Sequence, residues 1–202
     1  MSRKIRCARC PRLVALRRRL RRQYPDYHNA PVTATGPEDA RLLIVGLAPG
    51  LHGANRSGRP FEGDSSGDLL FAALQAAAAR LAGDGLQPPP WRITNAVKCL
   101  PPENRPRAAE IANCRSYLVR EIAALPTPGA ILTLGRVAHE AVLSTMKLNR
   151  GDHPFAHGAH YDAAPGTGLF ASYHCSRYNQ NTGRIDRERL TAVIEAAMRY
   201  QL

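Results

Sequence analysis

Three groups of residues in this chain have the types and spacing to do chemistry. The first lies in a glycine-rich stretch running from Gly46 to Gly67, where His52, Asn55, Arg59, Phe61, Glu62 and Asp64 offer an imidazole, an amide, an aromatic ring and carboxylates within one loop. Gly46, Ala48, Pro49 and Gly50 open that loop with residues that permit tight turns and close backbone approach. The second is the polar run His174-Cys175-Ser176-Arg177-Tyr178-Asn179-Gln180-Asn181-Thr182-Gly183-Arg184. The third is a set of four cysteines, Cys7, Cys10, Cys99 and Cys114, enough thiolates for a structural zinc or an iron-sulfur cluster, although spacing alone does not decide between them. Asn95 stands apart from these groups, at the end of a strand, where its amide offers both an acceptor and donors.

Elements must bring these groups together. Leu42 to Val45 is a short apolar run of the kind buried on both faces of a parallel sheet, so the glycine-rich loop leaves the carboxyl end of a strand, where open α/β sheets bind ligands. Ser65 and Ser66 can cap a helix over residues 67–81 that stops at Gly83. Trp91 to Cys99, Ala130 to Leu134 and Leu169 to His174 read as three more strands, and helical patterns cover 107–125, 135–143 and 187–200. Ile111, Cys114, Leu118 and Ile122 share one stripe, which directs Cys114 inward. Residues 149–167 carry His153, His157 and His160 without any period, so they read as a loop whose irregular histidine spacing argues against zinc. Strands alternating with helices predict a three-layer α/β/α domain with a central four-stranded parallel sheet over residues 1–202. Residues 1–24 form a cysteine-bearing basic helical segment packed on it, with Leu13, Leu16 and Leu20 at helical spacing among arginines.

Composition narrows the partner. A charged content of 22% and a hydrophobic content of 44% fit a soluble globular chain, and no apolar run approaches the roughly 20 residues that cross a bilayer, so a membrane is excluded as partner. MSRKIRCARC lacks an apolar signal core, which makes the cytoplasm the expected compartment and ligation or burial the expected fate of the cysteines. The 28 Lys and Arg against 16 Asp and Glu give a formal charge of +12, and that excess points to a polyanion such as DNA. A nucleotide-binding reading of the glycines is weakened because neither G-x-x-x-x-G-K-[ST] nor G-x-G-x-x-G occurs.

The stretch GLAPGLHGANRSGRPFEGDSSG resembles the first motif of the family 5 (B-type) uracil-DNA glycosylases, the iron-sulfur branch of the uracil-DNA glycosylase superfamily. His174 to Arg184 is similar to that family's H-P-S-R-x-N-x-x-T-G-R segment, and the cysteines match in order, so the resemblance spans most of the chain. It implies a four-stranded parallel sheet flanked by helices, with both motifs meeting at the strand ends. It also implies that Cys7, Cys10, Cys99 and Cys114 hold a structural 4Fe-4S cluster, and that the partner is DNA containing uracil or other deaminated bases, bound by a monomer.

Under that resemblance each residue acquires an expected role. Phe61 stacks on an extruded base, Asn95 reads its edge, and His174 donates a hydrogen bond to the departing base anion. Asp64, in the Gly63-Asp64-Ser65-Ser66-Gly67 segment, positions water and stabilises the sugar cation, although a carboxylate at a helix start is also a capping group. Gly46, Ala48, Pro49, Gly50, His52 and Asn55 contact substrate, while Arg177, Tyr178, Asn179, Gln180 and Arg184 contact DNA. Leu47 fits the resemblance, because this family lacks the acidic or amide residue that other branches place after the first glycine and relies on the aspartate instead. One departure stands out: Cys175 replaces the proline that follows this histidine in the family. No lysine lies in the motifs to form a Schiff base, so hydrolysis without strand nicking is expected. The alternative from another class is a non-catalytic, metal-stapled nucleic-acid-binding protein.

Overall fold

The structure, a computed structural model, describes residues 6–200; the first five and last two residues of the predicted domain lie outside the described residues. Its sheet contains β1 (Leu42–Gly46), β2 (Trp91–Asn95), β3 (Gly129–Leu134), β4 (His160–Ala164) and β5 (Thr167–Ser172), in the order β2-β1-β3-β5-β4. The first four strands of that order are parallel, and β4 runs antiparallel to β5 at the edge. The expected four-stranded sheet therefore gains a fifth strand from within residues 149–167, read as loop. β4 escapes sequence reading because it is a polar edge strand, HYDAA, with a single buried residue, paired on one side only and irregular between Asp162 and Ala164.

Seven α-helices are described: α1 (Pro11–Gln23), α2 (Ala54–Ser57), α3 (Ser65–Gly83), α4 (Ala108–Ala123), α5 (Arg136–Met146), α6 (Arg177–Asn181) and α7 (Arg187–Arg199). Alternation along β1 divides the core. Leu42 and Ile44 pack with Leu70 and Leu74 of α3 and with Leu190 and Ile194 of α7, whereas Leu43 and Val45 pack with Leu118 of α4 and Val142 of α5. Both faces of the sheet are thus covered, which is why β1 and β3 are buried throughout and read as continuous apolar runs.

The amino-terminal helix is stapled to α4. Pro11 supplies the fixed φ suited to a first turn, Leu13 buries against Val97 and Cys114, and Arg12 grips Glu110 with both ends of its guanidinium at 2.8 and 2.7 Å. Short helices α2 and α6 replace what reads as loop in the two motifs. α6 forms because the Ser176 hydroxyl accepts the Asn179 amide, at a length too short to register as a helical period.

Candidate active site

The site is built where β1 and β2 end side by side, with Gly46 in register with Asn95. A methyl group at Gly46 would stand 2.5 Å from both the Asn95 Oδ1 and the Phe61 ring, so the missing side chain is what lets ring and amide close over the strand end. Phe61 reaches that position with φ of 58°, in the left-handed region, and its carbonyl lies so close to Gly67 that any Cβ there would collide with it. Its ring is 7% exposed and belongs to the core cluster while also lining the pocket. The Phe61 and His174 rings are 5.9 Å apart between centroids and tilted by 31°, so the two motifs meet at the strand ends.

Asn95 is the most unusual group here. It is 3% exposed, its side-chain amide makes no hydrogen bond, and Oδ1 is a buried acceptor without a partner among the described residues. Burying such a group unpaired costs about 1–3 kcal/mol, which points to a partner that arrives with a ligand. Ala48, Gly50, Phe61, Asp64, Ser66, Asn104 and His174 line the same pocket.

Asp64 uses its two oxygens differently. Oδ1 caps α3 by accepting the Ser66 and Gly67 amides at 3.0 and 3.1 Å, while Oδ2 has no donor among the described residues and lies against Gly50 and Gly53, where a methyl group at Gly53 would collide with it. The capping role and a free oxygen at the pocket therefore coexist. Burial pushes the His174 pKa below its ordinary value, and the nearby Asp64 charge only partly offsets this, so the imidazole is neutral at neutral pH. Asn179 holds His174 in place by donating from Nδ2 to its carbonyl at 2.8 Å.

Other expected contacts lie elsewhere. His52 is exposed and turns to Tyr27, whose hydroxyl is 3.0 Å from its Nδ1; Asn55 is buried and donates to Asn29 Oδ1 at 2.9 Å; Pro49 is buried and does not line the pocket. In α6, Arg177 and Tyr178 are exposed, Tyr178 at 66%, but Gln180 braces the motif by donating to the carbonyls of Cys175 and Ser65. Arg184 borders an adjoining cleft of about 360 Å³ that also touches Arg136, Phe155, Tyr173 and His174. Sequence reasoning missed Arg136 and Asn104. The signal for Arg136 was its place directly after a strand-ending glycine, and Asn104 is an asparagine in a proline-rich break, where it adopts φ of 56°.

Cys7, Cys10, Cys99 and Cys114 line one small cavity. Arg17 donates to Cys99 Sγ at 3.4 Å and Asn113 to Cys10 Sγ at 3.6 Å. Among the described residues no three His, Cys, Asp or Glu side chains are arranged to hold a single metal ion. Cys175 is separate, fully buried, with its thiol pushed up to about 12 by burial, which leaves it inert. No described helix is long and apolar enough to cross a membrane.

Comparison with known proteins agrees with this geometry. The family model described as the uracil DNA glycosylase superfamily matches residues 33–198. A type-5 uracil-DNA glycosylase of Thermus thermophilus is 43% identical, with 96% of this chain and 93% of that protein covered. Type-5 enzymes of Pyrobaculum aerophilum and Mycobacterium leprae are each 42% identical, covering 98% and 89% of this chain and 90% and 84% of theirs. The chain belongs to the uracil DNA glycosylase superfamily, among relatives of its type-5 branch.

Proposed function

We propose that this protein is a monofunctional DNA glycosylase that hydrolyses the N-glycosidic bond of uracil, and of other deaminated bases, leaving an abasic site. The observation that carries the reading is the buried, unpartnered amide of Asn95 beside the Phe61 ring. Uracil presents an N–H donor flanked by carbonyl acceptors, and a carboxamide offers the complementary acceptor and donor. A base reaches such a pocket only by leaving the stack. Phe61 then takes the ring face and Asn95 the edge.

Cleavage breaks the bond between C1′ and the base nitrogen, and the bonding pair leaves with the base as an anion. The neutral His174 donates an N–H to the base oxygen where that charge collects, and Asp64 Oδ2 faces the sugar cation and orients the water whose oxygen bonds to C1′. The proton released by that water passes to Asp64 or to solvent. Lys98, close in sequence to Asn95, is engaged with Thr94, the Asn95 carbonyl and Glu121, and among the described residues no lysine lines the pocket to form a Schiff base. Arg177, Tyr178, Arg184 and Arg136 contact the DNA on either side and Tyr178 fills the space left by the extruded nucleotide, a reading supported by their exposure and by the cleft that Arg136 and Arg184 border.

Cys7, Cys10, Cys99 and Cys114 would hold a four-iron, four-sulfur cluster. What supports this is that the four cysteines line one cavity, four thiolates being the number such a cluster takes. Its contribution is structural, joining the chain ahead of α1 to α4 and to the segment after β2. The described residues act as one domain with that basic helix packed on it.

Incubation with a duplex carrying one uracil tests the reading. Strand breaks that need alkali are expected; no abasic sites, or breaks without alkali, contradict it.

A further inference from the structure

Lys98 is 2% exposed, one of the largest fully buried side chains in the molecule, and the glycosylase mechanism makes no use of it. Its ammonium donates to Thr94 Oγ1, to the Asn95 carbonyl at 2.9 Å, and to both carboxylate oxygens of Glu121 on α4 at 2.9 and 2.8 Å. Three N–H donors are thereby all engaged. An ion pair this buried seldom stabilises a fold more than apolar side chains of the same volume would, so its retention asks for another reason.

The edge of the sheet supplies one. β2 is an edge strand, and along its outer side the Ile93 amide and carbonyl are matched by Thr35 at 2.8 and 2.9 Å. The Asn95 carbonyl, two residues on, points to the same outer side, in the gap between the Ile93–Thr35 bridge and the Lys98 carbonyl, which accepts the Val32 amide at 2.7 Å. Lys98 Nζ supplies the donor in that gap. On the inner side the Ala96 amide bonds the Gly46 carbonyl at 2.9 Å, and Val97 bonds Leu47 at 3.0 Å. Among the described residues the Asn95 Oδ1 has no donor to hold it, so its aim into the pocket is set through its backbone.

Resting on the reading of Asn95 as the base-reading amide, we infer that Lys98, held by Glu121, is a positioning residue that fixes the Asn95 backbone and so aims its side chain at the extruded base. A double-mutant cycle separates this from a general structural role. In single-turnover excision of uracil, Lys98→Met lowers the rate roughly ten- to hundredfold, while affinity for abasic-site product, which has no base to read, stays within twofold of wild type. In an Asn95→Ala background the same substitution has no further effect on rate. Glu121→Gln, which leaves the lysine donors in place, gives a smaller loss that also vanishes in the Asn95→Ala background, and it serves should Lys98→Met fail to fold. Rate losses that multiply in the double variants, or a wild-type rate in both single variants, overturn the clamp. A wild type inactive on uracil would instead sink the functional reading; the clamp is then judged by the Asn95 side-chain amide signal in NMR spectra, which shifts or broadens in Glu121→Gln if the clamp acts and stays unchanged if it does not.

Discussion

Because Asp64 Oδ1 caps α3 while Oδ2 faces the pocket, substitution can separate the two roles. Asp64→Ala removes the capping acceptor and should cost about 1 kcal/mol of stability, seen as a lower melting temperature. Asp64→Asn retains an acceptor for the Ser66 and Gly67 amides, so its melting temperature should stay close to wild type whatever happens to the chemistry. The sequence offers both readings, since an aspartate before Ser65 and Ser66 is a capping position and the resemblance assigns it a catalytic role; that the cap occupies Oδ1 and leaves Oδ2 toward the pocket is a matter of geometry alone. His174 offers a pH test. Its folded pKa lies below the ordinary value of about 6.5, so an unfolded chain takes up a proton where the folded one does not. The stability this reflects is fully present above about pH 6.5 and is lost as pH falls through the folded pKa. Melting temperature should therefore drop as pH is lowered from about 7 to about 5, and His174→Gln should make that drop shallower without abolishing it, because burial depresses His139 and His157 in the same direction.

At the scale of elements, the cavity of four sulfurs lies where the chain leading into α1, the segment after β2, and α4 meet. If a cluster holds them, the purified protein should be brown and contain iron and sulfide, and Cys114→Ser should lose both together with melting temperature. Stoichiometric zinc in anaerobically prepared protein would refute the cluster. The parallel strands and the long helices were legible because each buries a face with its own period: β1 is apolar at every position, and α3 carries Leu70, Leu74 and Leu81. β4, α2 and α6 were not legible. An edge strand with one buried residue and helices of 4 and 5 residues have no periodic face, and their existence depends on neighbours distant in sequence. The same holds for His52 and Asn55, which the glycine-rich loop makes attractive but which tertiary partners, Tyr27 and Asn29, turn to other duties.

For the whole molecule, the formal charge of +12 should make binding to undamaged duplex weaken steeply with salt. Each phosphate contact contributes a log-log slope of about −0.9, so Arg177→Ala or Arg184→Ala should flatten the slope by about that amount if those side chains reach the backbone; an affinity indifferent to salt contradicts DNA as partner. Charge and two motifs at opposite ends of the chain indicated the partner, but only the fold shows that Phe61, Asp64, Asn95 and His174 face one pocket. That convergence is tested most directly by single-turnover excision of uracil from a duplex by Asp64→Asn beside wild type, with melting temperature and duplex affinity measured on the same preparations. The expected result is a rate lowered by at least about a hundredfold, with affinity and melting temperature nearly unchanged, as befits a charge that acts in the transition state. A wild-type rate in Asp64→Asn, with or without a lower melting temperature, would contradict it and leave Asp64 a helix cap alone.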